Sequence, residues 1–219
     1  MMVHLSPHVH SLGGMQTLVQ RNLVLDRARG VRSESLSLFD RLDSSLPSAG
    51  RLGAGGWWTL RGIQQALERR LPAIGATLIY YNGWGMPVLA GHDQAGRRLA
   101  FMVSDWPGFS RTLGAMEPWC DGFICVSGEL AATVRRSLPD YPAGRILAVP
   151  LSAVPAWYGG ARRPAANGSL EVGFVARLER NQKRADLLPG LVRGVRATGA
   201  RVRWHVVGDG THREPLHRA

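Results

Sequence analysis

The sequence has little lysine, and the one that it has stands out. Among its 27 basic residues, Lys183 is the single lysine and the other 26 are arginines. A coding bias towards arginine would explain the 26, and the lysine on that view is incidental. A position that needs a compact ammonium on a flexible stem would explain Lys183 instead, because the planar guanidinium does not replace it. The neighbouring residues decide between the two interpretations.

Cysteine and long apolar runs are also scarce. Cys120 and Cys125 are the two cysteines, too few for a zinc or redox motif, and we interpret both as reduced and structural. No run approaches the roughly 18 uninterrupted apolar residues of a membrane span, and the N-terminus lacks a charged segment followed by an apolar one. We therefore expect a cytoplasmic protein.

The formal net charge of +11 requires an anionic partner: nucleic acid, an acidic membrane surface or a phosphate-bearing small molecule. The arginines are spread along the chain as short pairs, and no helix-turn-helix, zinc-finger or RNP motif arranges them into a groove reader. The sequence therefore does not favour sequence-specific binding of nucleic acid.

Strand and helix patterns alternate along most of the chain. Strands are predicted at 3–5, 35–39, 76–81, 99–103, 122–126 and 145–149, helices at 14–29, 57–71, 109–116 and 128–138, and a Ser/Gly/Pro-rich loop at 44–56. Parallel neighbours need helical crossovers, so this alternation predicts an α/β fold with a mostly parallel sheet covered on both faces.

A second α/β unit is predicted after a linker. Residues 155–169 carry neither period and separate an N-terminal Rossmann-like domain, 1–154, from 170–219. The second part predicts a strand at 170–176, a helix at 184–198, a strand at 202–207 and a helix starting near His212. About 50 residues are too few for a compact domain, so a partial C-terminal domain is expected.

Four segments resemble one known family. They are His10–Gln16, Gly122–Leu130, Arg145–Pro150 and, most specifically, Glu171–Lys183 with His205–Gly210. Their order and spacing are similar to those of family-4 retaining glycosyltransferases of the GT-B fold. The resemblance covers nearly the whole chain and implies a GT-B-like architecture, with an acceptor-side N-terminal domain and a nucleotide-sugar-binding C-terminal domain.

The resemblance implies roles for seven residues. The matching Arg and Lys contact the donor diphosphate, so Arg177 and Lys183 are the expected catalytic residues. Such a task suits fixed cations, because charge develops on the departing diphosphate. The glycines expected to border the donor diphosphate are Gly13, Gly14, Gly208 and Gly210. Asn82 stands where many members carry a histidine, and it is expected to contact the sugar or acceptor.

The family's pair of glutamates that hold the donor sugar and ribose would lie past Ala219. We therefore expect the 219-residue chain to bind donor poorly and to turn over slowly or not at all. An alternative follows from the same observation: a non-catalytic remnant or interaction module that binds an acceptor, a membrane or a partner subunit. A dinucleotide-dependent oxidoreductase ranks lower, since no Gly-x-Gly-x-x-Gly fingerprint opens the first helix.

Three further features have weaker functional interpretations. His4, His8 and His10 have a spacing that could ligate a metal, but the family uses none there, and we expect no metal or other cofactor. Asp105 and Glu117 are more typical of surface or capping residues than of a catalytic pair. The predicted helix Trp57–Leu71, with two tryptophans and three arginines, either packs on the core or contacts an anionic membrane peripherally.

The resemblance thus implies a metal-independent glycosyltransferase. It would transfer a sugar, with retention, from a nucleotide diphosphate sugar to a glycan or a lipid-linked acceptor, as in the assembly of cell-envelope polysaccharide.

Overall fold

The structure is a computed structural model. It describes residues 1–8, 14–40, 49–53, 59–71, 75–89, 96–106, 108–151 and 169–218. Contacts within the chain divide it into two units, Met1–Ser152 and Ala153–Ala219. Both consist of parallel strands joined through helices, so the predicted α/β class is confirmed. The predicted linker, apart from Ser169, lies outside the described residues.

Unit 1 contains a parallel sheet of seven strands in the order β3-β2-β1-β4-β5-β6-β7. The strands are β1 Met2–Ser6, β2 Ser33–Ser37, β3 Ala49–Arg51, β4 Thr77–Tyr81, β5 Arg97–Met102, β6 Gly122–Cys125 and β7 Ile146–Ala148. Six of them match predicted strands to within a few residues. Strand β3 falls inside the predicted 44–56 loop, which is therefore wrong at 49–51; its Ala-Gly-Arg sequence carries no alternating apolar signal.

Four helices connect these strands: α1 Gly14–Ala28, α2 Leu60–Arg70, α3 Phe109–Met116 and α4 Gly128–Ser137. Side-chain caps set two of the starts. The Thr59 hydroxyl accepts from the amide of Gly62, and the Ser127 hydroxyl accepts from the amide of Leu130 at 3.1 Å. Each cap satisfies an amide that has no partner within the helix. The predicted helix at 57–71 accordingly begins at Leu60.

Both faces of the seven-stranded sheet are buried. One face and its helices form the larger cluster, which includes Leu5, Leu78 and Phe123. The other face packs Ile79 and Tyr81 of β4 against Leu18 and Val19 of α1. Burial on two sides explains the nearly continuous apolar runs of the central strands.

The described part of unit 2 contains two parallel strands, β8 Leu170–Val175 and β9 Val202–Val207, with three helices, α5 Arg180–Lys183, α6 Leu188–Ala197 and α7 Arg213–His217. The helix predicted at 184–198 corresponds to α6, which begins four residues later, at Leu188. Arg184 adopts a left-handed conformation, with φ 50°, and ends α5. A 3₁₀ turn follows, and Pro189 occupies the first turn of α6, where its missing amide costs no hydrogen bond.

Among the described helices, none is both long and apolar enough to cross a membrane.

Candidate functional site

The strand order of unit 1 reverses between β1 and β4. From β1 the chain builds outwards to β2 and β3, and then it returns to β4 on the other side. Open α/β sheets bind ligands in the crevice outside the carboxyl ends of the strands at such a point. The residues that follow β1 and β4 are therefore the first candidates in this unit.

A histidine and a carboxylate meet after β1 and β2. His8 Nδ1 lies 3.1 Å from Asp40 Oδ1, and the carboxylate is buried while the imidazole is half exposed. This contact with the carboxylate fixes the orientation of the imidazole ring. This pair is not predicted from the sequence. Its one signal is that each residue follows the carboxyl end of a strand.

His4 is buried in a network of its own. Its Nε2 lies 2.9 Å from Asp26 Oδ2, its Nδ1 lies 3.1 Å from the hydroxyl of Tyr81, and Asn22 Nδ2 donates to the same hydroxyl at 2.7 Å. Burial lowers the pKa of His4, and Asp26 opposes that shift. Burial raises the pKa of the Tyr81 hydroxyl, because the charged form of a tyrosine is its deprotonated form.

This network bears on the histidine spacing that could have ligated a metal. Both ring nitrogens of His4 are occupied, His8 is paired with Asp40, and His10 lies outside the described residues. Within the described ranges, no three His, Cys, Asp or Glu side chains form a group that could hold a metal ion.

Asn82 follows β4 in a left-handed conformation, with φ 51°. Its Oδ1 accepts from the amide of Val103 at 2.8 Å and from that of Ser104 at 3.4 Å. The side chain therefore ties the end of β4 to the end of β5. Its Nδ2 contacts the Ser104 hydroxyl at 3.4 Å and retains a hydrogen for a ligand. If Asn82 contacts a sugar or acceptor as expected, the contact is therefore made by Nδ2, which can donate a hydrogen bond.

A pocket of about 370 Å³ opens beside Asn82. Its walls include Trp84 and Trp106, with Thr112 and Met116 from α3. Trp84 is half exposed. The pocket is not predictable from sequence patterns, because its walls come from separate loops and a helix.

The two glycines expected before the first helix are described in part. Gly14 is the first residue of α1, and a Cβ there would meet no atom within 4 Å. Gly13 lies outside the described residues. Helix α1 is the first helix after β1, and the amides of a helix's first turn have no partner within the helix, which is what an anion site at a helix terminus uses.

In unit 2, the loop after β8 carries four cations and two carboxylates. Arg177 Nη1 lies 3.6 Å from Glu179 Oε1, while Arg180 and Arg184 both pair with Asp186, at 3.9 and 3.2 Å. The hydrogen bonds from Arg184 hold the pKa of Asp186 below its usual range. Lys183 ends α5 and is exposed. In the described part of the chain, its side chain makes no hydrogen bond or ion pair.

Gly208 and Gly210 hold the loop after β9 against the loop after β8. Their φ angles of 153° and 148° lie in the region that favours glycine. A Cβ on Gly208 would collide with the carbonyl oxygen of Ala176, and one on Gly210 would lie 2.6 Å from that of Leu178. The structure therefore gives these glycines a packing role beside the Arg177 loop.

A pocket of about 520 Å³ lies beside these loops, over the end of β9. Leu178, Leu188 and Val206 supply apolar surface, and the cations around it are Arg193, Arg196 and Arg213. These three arginines are not among the site residues predicted from the sequence. Gly208 lines the pocket, whereas Arg177 and Lys183 do not. The arrangement suits a ligand with an apolar ring and an anionic group.

The remaining candidates lie apart from these sites. Asp105 is exposed, and Glu117 begins a 3₁₀ turn after α3. Cys120 and Cys125 are free and buried, and burial raises the pKa of each thiol to about 11. Such thiols are poor nucleophiles and poor metal ligands, which agrees with a structural role.

The candidate membrane helix packs against the core. On α2, Leu67 is fully buried and Ile63 packs against the larger core cluster, whereas Arg61, Arg69 and Arg70 are exposed. Trp57 and Trp58 lie outside the described residues. The described apolar face of α2 is thus occupied by protein, and a basic face remains towards solvent.

Comparison with known proteins finds similarity only among solved structures. No family model matches the chain, and no curated protein matches it. Among solved structures, the chain is similar to Phytolacca americana UGT2 complexed with UDP-2fluoro-glucose and pterostilbene. The TM-score is 0.48 and the sequence identity is 12%. The match covers 93% of this chain and 65% of that chain, so the present chain spans less than two thirds of the other protein.

Proposed function

We propose that this chain belongs to a glycosyltransferase that transfers a sugar from a nucleotide diphosphate sugar to a hydroxyl of a glycan or lipid-linked acceptor. Unit 2 binds the donor diphosphate without a metal ion. The acceptor binds at the carboxyl edge of the sheet of unit 1. The retaining course and a place in cell-envelope polysaccharide synthesis follow from the family resemblance of the sequence.

The observation that carries the proposal is the division of charge in the loop after β8. Arg180 and Arg184 are engaged with Asp186, and Arg177 is engaged with Glu179. Lys183 is exposed, and its ammonium has no partner among the described residues. A cation held at the carboxyl edge of a parallel sheet, without an internal carboxylate, suits an incoming anion.

The chemistry explains why a diphosphate fits. In the transfer, the bond between the anomeric carbon and the diphosphate oxygen breaks, and its electrons remain on that oxygen. The acceptor oxygen bonds to the anomeric carbon, and its proton passes to the departing diphosphate when attack is from the same face. Lys183, as a point charge on a flexible stem, stabilises the oxygen that becomes negative. Arg177 supplies a second cation when it turns from Glu179.

The test is calorimetric titration of the chain with UDP and with GDP. Lys183→Ala should weaken binding of the preferred nucleotide by about tenfold, because one charge-assisted contact is lost. Arg180→Ala removes the same charge from the same short helix, but from a side chain that Asp186 already engages. It should weaken binding by much less. Equal affinities of the unchanged chain and the Lys183→Ala variant would refute the assignment.

Turnover is measured separately from binding. Incubation with UDP- and GDP-sugars and with oligosaccharide or polyprenyl phosphate acceptors should release the nucleoside diphosphate, and proton NMR of the product gives the anomeric configuration. Binding that depends on Lys183, without any release, would favour the non-catalytic module instead.

A further inference from the structure

The pocket beside Asn82 has the build of a binding site in its own right. It measures about 370 Å³ and is lined by Trp84 and Trp106, together with Asn82, Pro87, Thr112 and Met116. We call it the Trp84–Trp106 pocket. The volume suits a single ring or a small disaccharide fragment, since pockets for drug-sized ligands start at about 300 Å³.

Both indoles are held in place from behind. Trp84 meets Phe39 edge to face, with ring centroids 6.2 Å apart and an interplanar angle of 87°. Trp106 meets Phe109 in the same way, at 4.9 Å and 82°. Phe109 belongs to the larger core cluster, and Phe39 packs against that cluster. Edge-to-face pairs of this kind fix ring orientation, so little side-chain entropy is lost when a ligand contacts the indoles.

The floor of the pocket is closely packed. Gly83 has φ 70°, and a Cβ at this position would overlap the sulfur of Met116. The glycine therefore lets the loop after β4 lie directly on α3. This loop keeps the backbone beside Trp84 in one position relative to Thr112.

Two polar groups border this apolar surface. Asn82 has its oxygen engaged by Val103 and Ser104, which fixes the amide and leaves Nδ2 able to donate. The Thr112 hydroxyl donates to the carbonyl oxygen of Gly108 at 3.3 Å, so its lone pairs are able to accept. The pocket thus offers a donor and an acceptor beside aromatic rings.

Charge excludes one class of ligand. Among the described residues that line the pocket, none is ionisable, although the chain carries a formal charge of +11. Phosphates and carboxylates would lose water there without gaining a cation, which is costly. The ligand is therefore neutral, with an apolar face for the indoles and hydroxyl groups at its edge.

We propose that the Trp84–Trp106 pocket binds a neutral pyranose ring. The axial C–H groups of a pyranose form a weakly positive apolar face, which the negative face of an indole attracts. Its equatorial hydroxyls both donate and accept, and they match Asn82 Nδ2 and the Thr112 hydroxyl. The inference rests on the proposed function only in assigning this ring to the acceptor; binding of the ring does not depend on it.

The experiment is saturation-transfer NMR on the whole chain with methyl glucopyranoside, methyl galactopyranoside and methyl mannopyranoside as probes. At least one of them should bind, with the strongest transfer to the ring C–H protons. Trp84→Ala and Trp106→Ala should each weaken that binding by about tenfold. Trp119→Ala is the matched control, since Trp119 is also partly exposed but lies outside the pocket; its affinity should be unchanged.

Two further arms separate the outcomes. Trp84→Phe, which keeps an aromatic face, should retain most of the affinity and shows that a loss in Trp84→Ala does not come from misfolding. p-Cresol and octanol probe phenolic and aliphatic ligands. The proposal is overturned if no pyranoside binds, if p-cresol or octanol binds in place of the pyranosides, or if Trp119→Ala weakens pyranoside binding as much as Trp84→Ala does. The measurement is independent of Lys183, so its failure leaves the donor assignment standing.

Discussion

The amide of Leu178 donates to the carbonyl oxygen of Asp209 at 2.8 Å, and the carbonyl oxygen of Leu178 accepts from the amide of His212 at 2.9 Å. These two bonds join the loop after β8 to the loop after β9 by backbone alone. Gly208 and Gly210 make the approach possible, because a side chain on either would strike the opposing backbone. The Arg177 loop thus has its position fixed from the neighbouring strand.

Substitution of these glycines should weaken the backbone hydrogen bonds between the loops after β8 and β9. Gly208→Ala combines a collision with the carbonyl of Ala176 and an unfavourable φ of 153°. We expect a loss of about 1–3 kcal/mol in the local opening free energy. Hydrogen exchange at the amides of Leu178 and His212 measures it, and both should exchange faster.

Gly194→Ala provides the matched control. Gly194 lies within α6, and a Cβ there meets no atom within 4 Å. Alanine should therefore stabilise the helix by about 0.5–1 kcal/mol. If the amides of Leu178 and His212 exchanged as slowly in Gly208→Ala as in Gly194→Ala, the contact between the two loops would not contribute to local stability.

Asn82 should be sensitive to substitution even in the absence of ligand. Asn82→Ala removes the acceptor for the amides of Val103 and Ser104 and places alanine at a positive φ. The expected loss of unfolding free energy is about 1–3 kcal/mol. Asn82→Asp retains an oxygen acceptor and should lose least, with Asn82→Gly between them. Urea unfolding followed by tryptophan fluorescence gives the order; a smaller loss for Ala than for Asp would contradict it.

The stability of unit 1 should fall in mild acid because of His4. Burial holds the pKa of His4 below its ordinary value of 6.5. The unfolded chain therefore binds a proton near pH 6.5, while the folded chain does so only at lower pH. Stability is complete above pH 6.5 and declines as pH falls through 6.5 towards the lowered value. Urea midpoints measured from about pH 5 to 7.5 should show this slope.

A His4→Gln variant tests the assignment of that slope. Glutamine retains polar contacts to Asp26 and Tyr81 but has no charge to gain, so its stability at neutral pH should be lower and its dependence on pH flatter. If the stability of His4→Gln fell with pH as steeply as that of the unchanged chain, a group other than His4 would be responsible for the slope.

The exposed basic face of α2 predicts weak attraction to anionic lipid. Each arginine near such a surface contributes about 1 kcal/mol. Replacing Arg69 and Arg70 together by Gln should reduce sedimentation of the chain with vesicles of phosphatidylcholine and phosphatidylserine. Replacement of Arg193 and Arg196, an exposed pair on α6, is the control. If the two double variants sedimented equally, the attraction would come from net charge and not from α2.

Most of the architecture could be predicted from the sequence, because buried parallel strands and amphipathic helices carry strong periodic signals. Helix α3 was predicted at its observed bounds. The failures have local causes. Strand β3 has no apolar alternation. Helix α6 starts later than predicted because Arg184 is left-handed, and a bulky residue in that conformation is rarely signalled by sequence.

The candidate site was accessible only where it is local in sequence. The loop from Arg177 to Lys183 is a contiguous motif, so the sequence alone could propose it as a candidate site. His8 and Asp40 are 32 residues apart, and they meet because β1 and β2 are neighbours in the sheet. Trp84 and Trp106 likewise follow adjacent strands β4 and β5. Such pairs require the strand order, which periodicity alone does not supply.

The uncharged lining of the Trp84–Trp106 pocket has a consequence for how the chain responds to ionic strength. At about 0.15 M salt, the field of an exposed charge fades within roughly 8 Å. Capture of an anion by the exposed Lys183 should therefore weaken steadily as salt is added. Contact between indole faces and a neutral ring involves no counterion, and strongly hydrated salts such as sulfate favour apolar burial. Added salt should thus separate the two proposed binding events, because it should release the anion and leave the neutral ligand bound.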